Sequence, residues 1–327
     1  MEKYFKHNSL IKRFVSDYKL PIPCGDCMVE HFPYFLDLYN IKEFKFPKKR
    51  FEKLINHIEE NYNGDINAFL DNYYNVRESI LVSIKDSDGY KVLQTMEMPV
   101  YKPVNTFLDR VTQNNIYNCE NIGERFISID LAKANFQVLS HFIPEIVGNH
   151  TKYEDFIASY EGDWYMADSK YSRQVIFGNL NPKRQITLQK YVMKQIADVL
   201  HNRFSLTPVS LSNDEIVYKT TLFNPATIDE IRAEIKEKVG DWNLHVEEFV
   251  LVAYELREKD KENCVARFFK KTFTDSHDHY EYKGIPKPFS AIVYKLLNKQ
   301  ELDKIDRTIE YEGLPAVIKA EFEIVEL

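Results

Sequence analysis

Three carboxylates stand at places where a chain holds acids rigidly. Asp214 and Glu215 belong to the turn Asn213-Asp214-Glu215, flanked by apolar β-type runs within 206–220. A hairpin tip keeps carboxylate oxygens on a stiff support, and stiff carboxylates suit a catalytic Mg²⁺ or Mn²⁺. Turns also favour Asp and Asn for backbone reasons alone. Upstream, the β run Phe126-Ile127-Ser128-Ile129 ends at Asp130 and leads into a helical segment. Asp130 and Asp214 are thus two strand-associated acids able to share a metal, with Glu215 in support. Acids so placed serve phosphoryl and nucleotidyl transfer.

The elements that must position these acids are legible around them. Residues 185–204 carry Leu188, Val192, Ile196, Val199, Leu200 and Phe204 at helical spacing. Thr227 and Glu230 form a capping-box pattern that opens a helix, Gly240 can close it, and 245–256 read as a strand.

The two acidic segments resemble motifs A and C of the family A DNA polymerases, the DNA polymerase I type. Motif A of that family runs from a strand through an Asp to a helix with Val-Leu-x-His, and Val138-Leu139-Ser140-His141 reproduces this tail. Motif C is a hairpin bearing His-Asp-Glu before an apolar pair; Asn213-Asp214-Glu215-Ile216-Val217 departs only at the first position. The order of helix, hairpin, helix and strand also agrees, so the resemblance covers about residues 123–257. It implies an α+β fold in which an antiparallel palm-like sheet is backed by helices. It further implies Mg²⁺ or Mn²⁺ on Asp130 and Asp214, and addition of a nucleoside triphosphate to the 3′-hydroxyl of a nucleic-acid primer on a template.

Between the motifs the family carries a nucleotide-binding helix with a basic residue four before an aromatic-Gly pair. Arg173 and Phe177-Gly178 have that spacing, which makes Lys170 and Arg173 triphosphate ligands and Phe177 a stacking ring. The same stretch also reads as the family's Asn-x-x-x-Gln lead-in, with Asn181, Lys183, Arg184 and Gln185 against nucleic acid. The two readings stay open, because the segment is far shorter than the family's fingers. Asn135 replaces the motif A Glu that crowds the sugar 2′ position, which implies relaxed sugar selection. Nothing resembles a proofreading exonuclease.

At 327 residues, 44% hydrophobic and 14% aromatic, the chain can bury a real core and is not disordered. A net charge of −7 excludes a uniformly basic nucleic-acid coat, while leaving room for a local basic groove. Lysines and arginines cluster at Lys45, Lys48, Lys49, Arg50; at Lys170, Arg173, Lys183, Arg184; and at Arg267, Lys270, Lys271. Each cluster also reads as a solvated face. No apolar run approaches the roughly 20 residues of a membrane span, and the charged start is no signal peptide, so a cytoplasmic location is expected. Abundant Lys, Asn, Ile and Tyr beside ten Gly suit an AT-rich viral or phage genome.

Pattern changes suggest three parts. Residues 1–120 read as mainly helical, a thumb or partner-binding region, with stripes at Phe51, Leu54, Ile55, Ile58, Tyr62 and at Ile66, Phe69, Leu70, Tyr73, Ile80. Within it, 80–84 and 90–93 read as a hairpin around Asp88-Gly89. Residues 121–257 form the palm-like part with shortened fingers. Residues 258–327 form an α+β extension with a strand at 264–274, a helix after Pro288 and a final hairpin of 307–311 and 316–325. Cys24, Cys27 and His31 make a three-ligand zinc trio, but zinc wants four and a reduced loop is the expectation. Asp275, His277, Asp278 and His279 read as a solvated loop. Two rival functions remain: an inactive palm that binds nucleic acid or a polymerase partner, and a metal-dependent nuclease or phosphotransferase.

Overall fold

Apolar residues three and four apart dictate the first half of the molecule. The computed structural model describes residues 2–22, 26–102, 111–113, 115–220, 227–261, 263–274, 279–312 and 314–327. Among the described residues six α-helices come first: α1 (Glu2–Phe5), α2 (Asn8–Tyr18), α3 (Phe32–Leu38), α4 (Pro47–Tyr62), α5 (Ile66–Asp86) and α6 (Asp88–Thr95). Helix α4 starts with Pro47, whose missing N–H costs nothing in a first turn, and buries Phe51, Leu54, Ile55 and Ile58. The Asp65 carboxylate caps α5 by accepting from the Asn67 and Ala68 amides at 2.9 and 3.1 Å.

Then follow β1 (Arg125–Leu131), α7 (Ala134–Phe142), α8 (Tyr153–Ala158), α9 (Trp164–Asp168), α10 (Lys170–Gly178) and α11 (Pro182–Phe204). The hairpin β2 (Pro208–Leu211) and β3 (Glu215–Lys219) precedes α12 (Ile228–Lys238), β4 (Leu244–Glu258), β5 (Asn263–Phe273) and β6 (Tyr280–Lys283). The chain closes with α13 (Ser290–Leu297), β7 (Thr308–Tyr311), β8 (Leu314–Val317) and β9 (Phe322–Glu326). The expected capping box is present on α12, with Thr227 and Glu230 bonded reciprocally.

The result is an α+β fold on a seven-stranded antiparallel sheet of order β2-β3-β1-β4-β5-β6, with β9 beside the far half of β4. Alternation along the strands sorts the side chains. Ile127, Ile129, Leu131, Ile216, Tyr218 and Val246 face a core shared with α7, α11 and α12. That core continues to Tyr4, Phe14 and Phe51, so the N-terminal helices and the helices behind the sheet are packed together. Each fully buried Ile or Phe contributes about 1.5–3 kcal/mol relative to exposure. The opposite sheet face carries Ser128, Asp130, Glu215 and Glu247, and further along it Phe126, Phe249 and Phe273 cluster beneath Ile116. Strand β4 ends at Glu258; β5, β6 and β9 continue the same sheet, while β7 and β8 form a separate two-stranded one.

Two sequence expectations need correction. Residues 80–84 and 90–93 are not a hairpin but the end of α5 and the body of α6, broken at Ser87, whose hydroxyl accepts from the Tyr90 amide at 3.1 Å. Gly89 is there for close approach: a Cβ on it would lie 2.6 Å from the Ile146 nitrogen. The final hairpin pairs β7 with β8 only; residues 318–321 then carry the chain to β9, where Phe322 is buried against Leu256 and Phe289. Among the described residues no helix is long and apolar enough to cross a membrane.

Candidate active site

The β1–β3 ladder puts the acids together. Asp130 is the Cα partner of Glu215, and one step beyond, the Leu131 amide donates to the Asp214 carbonyl at 2.8 Å. The hairpin turn is fixed by Ser212, whose amide donates to the Glu215 carbonyl (2.8 Å) and whose hydroxyl accepts from the Glu215 amide (3.0 Å). Ser128, two residues before Asp130 on the same face, donates its hydroxyl to Glu215 Oε1 at 2.6 Å. Asp214 therefore sits in a pinned turn and Asp130 at the end of a strand hydrogen-bonded on both edges, to β3 and β4.

Asp130 is a half-buried, crowded acid. Burial, with Asp214 and Glu215 close by, pushes the Asp130 carboxyl up to about 6. On the other side its partner is His245, bonded to Glu247 at 2.5 Å, with its pKa raised chiefly by that bond. Glu247 in turn pairs with the buried Lys271, whose ammonium lies 4.4 Å from the Phe249 ring and 4.8 Å from the Phe273 ring.

Asp130 and Asp214 share a recess of ≈ 160 Å³ with Lys133, Asn135, Lys170, Arg173 and Gln174. The Asn135 carbonyl accepts from the amide of buried Gln189, which fixes its orientation. Among the described residues no group of three or more His, Cys, Asp or Glu is gathered to hold a metal. Two carboxylates beside a phosphate-sized basic recess suit Mg²⁺, which takes one or two protein carboxylates and completes its shell with water and substrate oxygens. A larger cleft of ≈ 730 Å³ lies between α4 and α8–α9. Its Asp163 is paired with His57, Asp168 with Arg50 and Glu154 with Lys133, so these carboxylates are already partnered.

Five of the residues singled out from sequence thus line one recess: Asp130, Asp214, Asn135, Lys170 and Arg173. Others do not. Phe177 is fully buried, packed edge-on or tilted among Phe136, Tyr153 and Phe156, and cannot serve as a stacking ring. Gln185 is 1% exposed and donates to the Phe177 and Leu180 carbonyls at 2.8 and 2.7 Å, a tie between α10 and α11. Arg184 is bonded to the Met96 carbonyl and Asn181 to Gln94 (2.9 Å), which ties α11 to the segment around α6. Lys183 is exposed on α11 and does not line the recess. Cys24, the Cys27 side chain and residues 275–278 lie outside the described residues. Sequence reasoning missed Lys133, Gln174 and His245. Lys133 and Gln174 follow motif residues closely enough to be suspected, but His245 needed the β1–β4 register.

No family model, curated protein or solved structure matches the chain.

Proposed function

We propose that the chain is a compact, palm-like nucleotidyltransferase that adds nucleotides to a nucleic-acid 3′-hydroxyl. The observation that carries this reading is the meeting of Asp130 and Asp214 with Lys170, Arg173 and Asn135 in one recess. An antiparallel sheet with helices on one face and acids on the other supports the palm-like description. In this reading Asp130 and Asp214 hold Mg²⁺ or Mn²⁺, and Glu215, bonded to Ser128, keeps the turn in place. Bound there, the ion supplies Lewis-acid charge to the attacking and leaving oxygens. Lys170 and Arg173 take the phosphates, and Asn135 faces the sugar. Nucleic acid and a nucleoside triphosphate are the partners, in the cytoplasm, and the N-terminal helices serve as a thumb or partner-binding part.

A nuclease or phosphotransferase using the same acids is the second reading. Burial of Phe177 favours it, because a phosphate recess then lacks the expected ring for a base. Primer extension with labelled nucleotides and Mg²⁺ or Mn²⁺, with and without template, separates the two. Extension lost in Asp214→Asn supports the transferase. Shortened primer supports the nuclease, and an unchanged primer under all conditions overturns both.

A further inference from the structure

We propose that Lys19, just after α2, and Lys45, just before α4, complete a polyphosphate subsite with Lys170 and Arg173 beside the acid pair. The inference rests on the transferase reading for its biological ligand but not for its chemistry.

Lys170 belongs to two recesses at once. It lines the acid recess, and it lines a second of ≈ 310 Å³ together with Lys19 and Lys45. The chain builds this junction deliberately. Buried Asp17, two residues before Lys19, accepts from the Ser169 hydroxyl at 2.6 Å, and Tyr18 donates to Asp168 at 3.0 Å. Arg50 donates to the Lys45 carbonyl at 3.0 Å and pairs with Asp168. Lys19 and Lys45 are therefore both tied to the two residues that precede Lys170. Both have left-handed backbone, at φ 51° and 57°.

The neighbouring acids do not neutralise these cations. Asp17 is taken by Arg13, Asp168 by Arg50, Glu154 by Lys133 and Glu281 by Lys283. Glu43 accepts from the Tyr294 hydroxyl (2.7 Å) and the Tyr282 amide (3.0 Å). Among the described residues Lys19, Lys45, Lys170 and Arg173 hold no ion pair. Burial lowers the pKa of Lys19 and of Lys45, and Lys170 and Arg173 lower both further, as cations crowding one point would. Four acids, Asp17, Glu43, Asp168 and Glu281, line the second recess with these lysines, but each is already bonded to another partner, so the like charges repel and a polyanion relieves that repulsion. The cations line two recesses that meet at Lys170 and do not run along a track, which favours a compact polyphosphate over a nucleic-acid backbone.

The test is calorimetric titration of the full chain with inorganic tripolyphosphate in the absence of metal. Asn tolerates left-handed backbone, so Lys19→Asn/Lys45→Asn removes the charges with little strain. The double variant should bind at least about tenfold more weakly, while Lys19→Arg/Lys45→Arg and the surface control Lys183→Asn should bind as wild type. Melting curves check that every variant is folded. No saturable binding by wild type, equal binding by the folded double variant, or preferential binding of a single-stranded oligonucleotide at the same residues overturns the subsite. Intact tripolyphosphate binding beside an inert primer assay would remove the transferase reading and leave the subsite standing. Primer extension at wild-type rate and KM in the double variant would remove the subsite and leave the transferase.

Discussion

Asp130 and Glu215 oppose each other directly across the antiparallel β1–β3 pair, with Asp214 one residue further along the turn. Like charges directly opposite destabilise a sheet. Ser128 bonds Glu215, but Asp130 is left with a carboxyl raised to about 6. Perturbed carboxyls of this kind cluster at functional sites.

The cost is measurable. The folded pKa of Asp130 lies above its unfolded value, so the folded state holds the proton more tightly, and stability from this group falls as pH rises from about 4 to about 6. Asp130→Asn should therefore be more stable than wild type by roughly 1–2 kcal/mol at pH 8 and nearly equal at pH 4. Urea denaturation at the two pH values reads this directly. Equal stability at pH 8 would mean that Asp130 is not under charge strain. The same variant should lose nucleotidyl transfer.

In the proposed metal site a cation and a proton would compete for Asp130. Mn²⁺ affinity, followed by electron paramagnetic resonance, should be level above pH 7 and fall as pH drops through about 6, approaching about tenfold per unit for one displaced proton. In Asp130→Asn that pH dependence should vanish along with most of the binding. Affinity in wild type that does not change between pH 5 and pH 8 would take Asp130 out of the metal site.

Sugar selection gives a third outcome. Asn135 lines the recess and is held by Gln189. A neutral, shorter side chain than Glu leaves more room at the 2′ position, and one hydroxyl accepted or excluded shifts discrimination by roughly 1–3 kcal/mol. Wild type should accept NTPs more readily than Asn135→Glu in competitive incorporation against dNTPs. If wild type already rejects NTPs as strongly, another residue is the gate.

What the sequence disclosed follows the range of the forces involved. The β1 run, the acidic turn and the long α11 stripe are local patterns, and each has its element. Residues 80–93 misled because a short apolar run fits both periods, and because Gly89 is used for packing against Ile146 and not for a turn. Phe177 and Gln185 were misassigned for a related reason: spacing places a residue on a helix but does not say which face is buried. The basic cluster at 45–50 dissolves into separate roles, with Lys48 on Asp37, Arg50 on Asp168 and Lys45 turned to the second recess. Lys19 gave no local sign, since only the long-range bonds of Asp17 and Tyr18 bring it to Lys170.

The charged row across the sheet offers the last test. Burial alone would raise the Glu247 carboxyl, but His245 and Lys271 hold it down to about 2. Its contribution to stability is present above the unfolded value of about 4.3 and is lost as pH falls toward about 2. The raised His245 contributes in the opposite direction, fully below about 6.5 and less as pH rises through its folded value. Lys271 is 5% exposed between Phe249 and Phe273, so Lys271→Met keeps the packing and strips Glu247 of one of its two partners. The single variant should lose about 1–3 kcal/mol at pH 7, because the carboxylate then keeps only His245 as a partner. Adding Glu247→Gln should restore at least half of that loss, since the remaining polar group carries no charge. Urea denaturation of the four members of the cycle measures both steps. A single variant as stable as wild type would show that the pair contributes nothing, and that the row beside Asp130 is set by backbone register alone.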